Sequence, residues 1–148
     1  MEFCGSYKST IDPKWRLKIP AEYREYLYSK YGDTFYVASL DLETLLVFPQ
    51  PVYEQLKIDS ATNPELSAMM PILSLSGRSS KADGQGKVMI PELVRIKCPS
   101  LKGQVIVAAV VDHLEVYTLE TIDKIFERIK ITNEQFARIR AGGKIDRS

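Results

Sequence analysis

Cysteine and histidine are almost missing from this chain: Cys4, Cys98 and His113 are its whole supply. One histidine and two distant cysteines argue against a zinc site. Two cysteines also fall short of the disulfide framework of a small secreted domain, so both are expected to stay thiols in a reducing cytosol, with a disulfide or metal role as the alternative. Long apolar runs are lacking too, and none approaches the roughly 20 residues of a membrane span. The opening MEFCGSYKS lacks the basic, apolar, small-residue order of a signal peptide. Catalytic signatures are scarce. Gly84-Gln85-Gly86-Lys87 has neither the leading glycine spacing nor the Ser/Thr of a phosphate loop, no Gly-x-Ser-x-Gly occurs, and His113 beside Asp112 reads as a loop pair. The expectation is a non-enzyme without cofactor, small-molecule substrate or membrane partner.

What the chain does have is one stretch written twice. Residues 11–20 read IDPKWRLKIP and residues 82–91 read ADGQGKVMIP, so Asp12, Arg16, Ile19, Pro20 and Arg24 stand opposite Asp83, Lys87, Ile90, Pro91 and Arg95 at a constant offset of 71. Each copy holds an Asp that opens a turn, a cation four residues on, an alternating strand, and a Pro that starts a short helix. A self-match at fixed separation means a fold assembled from copies of one unit. With 148 residues in all, two copies of roughly 50 residues would be marginal folders alone, so they are expected to share one core.

Charge follows the repeat. Net charge is only +1, yet residues 5–30 carry six cations against three anions and residues 77–104 six against two, while 31–76 carries six anions against Lys57 alone. Positive charge concentrated in two motif copies suggests a polyanionic partner. The plain alternative is a chance asymmetry on solvated faces.

Periodicity places the elements. Alternation over Ser6–Ile11, an Asp12-Pro13 turn and a return strand with Leu17 and Ile19 on one side and Arg16 and Lys18 on the other predict a hairpin. Pro20 begins a helix to about Tyr31 with Tyr23, Tyr26 and Leu27 on its apolar face. Strands are expected at Thr34–Leu40 and Leu45–Phe48, then a helix from Pro49 to near Lys57. Asn63-Pro64-Glu65 starts a connector helix with Leu66, Met69 and Met70 as its buried stripe, kinked or stopped by Pro71. The second copy replays the order: strand 77–82, turn 83–86, strand 87–90, helix 91–97, strands 104–110 and 114–117, helix 119–130. Thr132-Asn133-Glu134-Gln135 fits a capping box for a last helix ended by Gly142-Gly143, and the tail from Lys144 is expected to be loose.

With these residues assembled, FCGSYKSTIDPKWRLKIPAEYRE followed by a second DGQGKVMIP resembles the MraZ family, bacterial proteins with two tandem swapped-hairpin domains of the AbrB type. The resemblance runs from Phe3 to about Lys130. It implies a mainly β, α+β fold in which two units, 5–58 and 77–130, interlock into one pseudo-twofold, barrel-like body, with 59–76 as helical connector and 131–148 as C-terminal helix and tail. It further implies a cytoplasmic, nucleoid-associated transcriptional regulator. Such a protein forms an octamer-like homo-oligomeric ring and binds short direct repeats in double-stranded DNA upstream of the division and cell-wall gene cluster. Two positions depart from the family pattern. Trp15 stands where the family carries Gly, and because a Cβ resists positive φ, another geometry is expected for the first turn. Lys87 stands where Arg is usual, which keeps the charge but loses the planar fork that reads guanine.

The candidate DNA contacts are Arg16 and Lys87, then Lys14, Lys18 and Lys81, all on or beside the turns and able to reach phosphates. Asp12 and Asp83, with Gly84 and Gly86, are expected to form the turns. Trp15 either inserts at the DNA surface or packs under the hairpin, packing being favoured; Arg24 and Arg95 either tie the copies together or bind. A few phosphate contacts per chain give only weak non-specific binding, roughly 10⁻⁴ to 10⁻⁶ M. Several chains on one assembly raise avidity by about 10² to 10⁴, so the reading requires oligomerisation. An AbrB-like antitoxin, or a protein-interaction ring without specific DNA binding, is the competing reading.

Overall fold

A computed structural model describes residues 3–143; the tail expected to be loose from Lys144 onward lies outside them. The chain runs β1 (Ser6–Ile11), β2 (Arg16–Lys18), α1 (Ala21–Tyr31), β3 (Thr34–Ala38), β4 (Leu45–Pro49), α2 (Gln50–Ser60) and α3 (Pro64–Ser76). It continues β5 (Arg78–Lys81), β6 (Lys87–Met89), α4 (Glu92–Lys97), β7 (Gly103–Val110), β8 (His113–Tyr117), α5 (Leu119–Ile129) and α6 (Asn133–Arg140).

All eight strands join one antiparallel sheet in the order β5-β3-β4-β8-β7-β1-β2-β6. The two end strands are linked by the 83–86 turn and by the Met89 N–H donating to Ser80 Oγ at 2.9 Å, so the sheet nearly closes into a barrel. Partners are exchanged between the units. β1 meets β2 through a single ladder pair, Ile11 with Leu17, and runs its full length along β7. In the symmetry-related arrangement β5 runs along β3. The expected hairpin is therefore minimal, because β2 spends its ladder on β6, its own copy (Leu17 opposite Val88). Leu17 opposite Val88 and Leu46 opposite Glu115 mark where the pseudo-twofold axis crosses the sheet.

Side chains alternate across each strand, which sorts them into two cores. Leu17, Ile19, Phe35, Val37, Leu45, Val47 and their copies Val88, Ile90, Val105, Val107, Leu114 and Val116 fill the interior, with Tyr23 and Leu27 of α1 and Val94 of α4 closing it. On the outer face of β3 and β4, Ala38, Leu46, Phe48, Tyr53 of α2 and Leu73 of α3 form a second cluster. Tyr36 and Tyr53 stack there with ring centroids 3.6 Å apart.

The connector differs from expectation. α3 passes through Pro71 and continues to Ser76, and its buried residues are Leu73 and Ser76. Met69 is 42% exposed. Proline removes one helical hydrogen bond and crowds the preceding turn, but the half beyond it is held from outside. The Tyr36 hydroxyl donates to the Leu73 carbonyl at 2.7 Å, and Ser76 Oγ accepts the Ser39 N–H at 3.0 Å. Tertiary bonds replace what the ring takes away. At the other end of the chain Thr132 and Gln135 form the reciprocal capping box of α6.

Candidate nucleic-acid interface

The duplicated motif folds into two turns with the same wiring. Asp12 N–H donates to the Arg16 carbonyl at 2.9 Å and Trp15 N–H to the Asp12 carbonyl at 2.9 Å; the copies, Asp83 to Lys87 and Gly86 to Asp83, measure 3.0 and 2.9 Å. Asp12 Oδ1 accepts the amides of Lys14 (2.9 Å) and Arg16 (3.0 Å), and Asp83 Oδ1 those of Gln85 (2.8 Å) and Lys87 (3.0 Å). Each carboxylate thus replaces water for two amides that the tight loop leaves without a ladder partner.

The different geometry expected from Trp15 is not what the structure has. Trp15 takes φ 62°, beside 77° for Gly86. Left-handed φ costs a residue with a Cβ about 1–2 kcal/mol, and Trp15 is held there at both ends, its carbonyl accepting the Ile90 N–H at 2.9 Å just as Gly86 accepts that of Ile19. Its ring packs against the inner core, and Lys102 Nζ sits 4.3 Å from the ring centroid. Cation–π contact contributes about 0.5–2 kcal/mol, enough with the packing to offset the backbone. Gly84, at the exposed tip of the second turn, does not use the left-handed region.

Between the turns β2 and β6 form a two-stranded ribbon. Leu17 and Val88 point inward, so Arg16, Lys18, Lys87 and Met89 share the outer face. Here the structure joins the two leading candidates in one cluster. Arg16 Nε lies 2.9 Å from Asp12 Oδ2, Arg16 Nη1 3.6 Å from Asp83 Oδ2, and Lys87 Nζ 3.3 Å from Asp12 Oδ2. Loss of solvent works to raise the Asp12 pKa, but the amide and guanidinium of Arg16 and the ammonium of Lys87 outweigh it, pulling the carboxyl down to about 2. Asp83 is also lowered, by the Lys87 and Gln85 amides. Two cations and two anions cancel, and they fix where the cationic heads sit. Arg16 keeps 33% of its side chain exposed and Lys87 only 19%.

Lys14, Lys18 and Lys81 are exposed, Lys14 at the tip of the first turn and Lys81 at the end of β5, two residues before Asp83. Sequence reasoning passed over Gln85, which the offset of 71 places opposite Lys14 at the other exposed tip. Arg24 reaches across the repeat, its Nη1 donating to the Gln85 carbonyl at 2.9 Å, so it ties the copies together. This contact needs Gly86: a Cβ there would stand 2.4 Å from Arg24 Cδ. Trp15 carries such a Cβ, and Arg95 takes no matching bond, its Nε being buried without a partner among the described residues.

Away from the ribbon, His113 is no simple loop pair. It opens β8, with Nδ1 3.2 Å from Asp112 and Nε2 2.9 Å from Glu115. Among the described residues no three His, Cys, Asp or Glu side chains are grouped to hold a metal, and no helix is long and apolar enough to cross a membrane.

The chain is 30% identical over 137 residues to a transcriptional regulator MraZ of Koribacter versatilis, covering 89% of the chain and 92% of the relative. It is 26% identical over 136 residues to that of Acidobacterium capsulatum, again covering 89% and 92%, and 28% identical over 141 residues to that of Syntrophobacter fumaroxidans, covering 93% and 91%. No family model matches the chain.

Proposed function

The chain belongs to the MraZ family, and we propose that it is a DNA-binding transcriptional regulator. In this reading it works in the cytoplasm at the nucleoid, as an octamer-like homo-oligomeric ring on short direct repeats upstream of the division and cell-wall gene cluster. The observation that carries the proposal is the β2–β6 ribbon, whose outer face presents Arg16, Lys18 and Lys87 between two Asp-fixed turns tipped by Lys14 and Gln85. A two-stranded ribbon of this kind suits the major groove of B-DNA.

The four-group cluster supports a division of roles. Asp12 grips Arg16 through Nε, so the guanidinium is already oriented before any ligand arrives and loses little rotamer freedom on binding. Its Nη2 group, outside both carboxylate contacts, can face a base edge or a phosphate. Lys87, more shielded and bonded to Asp12, chiefly balances the carboxylate, whereas exposed Lys14, Lys18 and Lys81 supply phosphate contacts. Such contacts are weak singly, and repetition around a ring supplies the grip.

The test is a gel shift on the DNA upstream of the protein's own gene, with Arg16→Ala/Lys87→Ala set beside Lys14→Ala/Lys18→Ala. The first pair is expected to lose binding by roughly 10² or more and to keep its assembled mass. The second pair should weaken all duplexes alike and lower the log–log salt slope by about one per lost contact. Wild-type binding that ignores salt would favour the antitoxin or protein-interaction reading. Collapse of the assembly in the first pair would make Arg16 and Lys87 structural instead.

A further inference from the structure

The pseudo-twofold exposes a gap. In the first unit the outer face of the sheet is sealed by Tyr36, Ala38, Phe48, Tyr53 and Leu56, with Leu73 of α3 pressed in at 2% exposure. The register carries these residues onto the second unit. Thr10 pairs with Gln104 where its copy Lys81 pairs with Thr34, an offset of 70 for β3 and β7; β4 and β8, like the first residues of α2 and α5, are offset by 69. Tyr36, Ala38, Phe48, Tyr53 and Leu56 thus become Ile106, Ala108, Tyr117, Ile122 and Ile125. Those five line an open apolar groove of about 390 Å³.

The missing part is the plug. α6 is the copy of α3, starting 69 residues later, but it has 8 residues where α3 has 13. The position of Leu73 falls on Gly142, beyond the end of α6 and without a side chain. α3 lies along α2, and α6 makes no comparable packing with α5. The groove and its rim are left bare, with Leu119 63%, Phe126 76% and Ile129 58% exposed. Bare apolar surface of this kind marks an association site.

The geometry points to a second copy of this chain as the occupant, seating the outer ridge of its α3, Ile72 and Leu75, with Ile96 of the adjoining α4, in the groove beside α5. A groove shaped for a helix takes a helix through anchors spaced three or four apart, and Ile72 and Leu75 are 45% and 75% exposed, with Ile96 at 64%. Charge agrees in sign: exposed Glu120, Asp123 and Glu127 outnumber exposed Lys124 and Arg128 on α5, while Arg95 and Lys97 outnumber Glu92 on α4. Ridge and groove are different surfaces of one chain, the first on the connector helix and α4 and the second on β7, β8 and α5, so each copy offers one of each. Contacts of that type are head-to-tail and generate rings when the rotation closes. The inference rests on the oligomer of the proposed function and names the faces that build it.

The test measures native mass by light scattering for wild type, Phe126→Asp and Leu75→Asp, with circular dichroism to confirm folding; both residues are exposed, so neither change touches a core. Wild type is expected to assemble, and each variant to run as a monomer. An equimolar mixture of the two variants should form dimers and nothing larger, because one supplies an intact ridge and the other an intact groove. Assembly of Phe126→Asp at wild-type mass would overturn the groove as the interface while leaving a DNA-binding oligomer standing. Assembly of Leu75→Asp, or a mixture that stays monomeric, would overturn the ridge as its occupant. A monomeric wild type would remove the oligomer itself, and with it the proposed function.

Discussion

The two copies of the repeat agree where their sequences disagree most and differ where their sequences look alike. At the turns, Trp15 and Gly86 share neither size nor backbone freedom, yet the hydrogen bonds match within 0.1 Å across the copies. On the outer face the apolar residues of β3 and β4 recur in β7 and β8, yet one set is sealed and the other open. A tight turn is dictated by its backbone acceptors, here one Asp each, and tolerates a strained neighbour that packs well. A packed face is dictated by its last contributor, and lengthening or shortening one helix decides it.

Leu73 should therefore matter more than any residue of the open groove. Leu73→Ala leaves a cavity among Phe48, Tyr53 and Leu46 and is expected to destabilise the fold by about 2–5 kcal/mol, read from urea or thermal unfolding. The unplugged first unit would then match the second. A loss within about 0.5 kcal/mol, the range of an ordinary surface change, would mean that α3 is held by its polar bonds alone.

The turns invite the reverse experiment. Gly86→Ala puts a Cβ in the left-handed region, at about 1–2 kcal/mol, and drives it into Arg24. Combining it with Arg24→Ala removes the collision and leaves the backbone term. The double variant is expected to be less destabilised than the sum of the singles by about 0.5 kcal/mol or more, the sign of direct contact. Strict additivity would show that Arg24 does not lie over the second turn in solution.

Much of this was legible from the residues. The constant offset between Asp12 and Asp83 announced two units sharing a core, and alternation separated Leu17 and Ile19 from Arg16 and Lys18. What periodicity could not show was partner choice: β1 leaves β2 for β7, a long-range pairing that local pattern does not encode. Pro71 does not stop α3, because the bonds that carry the helix past it come from Tyr36 and Ser39, more than thirty residues away. Trp15 misled for a related reason, since the pull into positive φ comes from Ile90 across the repeat. At the site, sequence placed the cations near the turns but not the cross-pairing of Arg16 with Asp83 and of Lys87 with Asp12, because charges 67 (83 minus 16) and 75 (87 minus 12) residues apart become neighbours only once β2 meets β6.

The smallest effect concerns pH, and it too separates two regions. At the turns the folded Asp12 sits at about 2, below its ordinary 3.8, so its contribution is complete above pH 3.8 and fades only as pH falls towards 2. His113 runs the other way. Burial disfavours its imidazolium, but the hydrogen bonds to Glu115 and Asp112 prevail and raise its pKa above 6.5. A group raised in the folded state adds stability that is full below its unfolded pKa and lost as pH climbs through the folded one. Melting temperature should accordingly decline slightly as pH rises above about 6.5 in the wild type, and His113→Gln should flatten that decline; it should also shift the acid limb, because the His113 hydrogen bond is the chief cause that holds the Glu115 carboxyl below its ordinary range. A slope that survives the substitution would place the titration elsewhere. The ribbon is then expected to keep its charge pattern across that whole range, since the carboxylates that orient Arg16 and Lys87 stay ionised throughout.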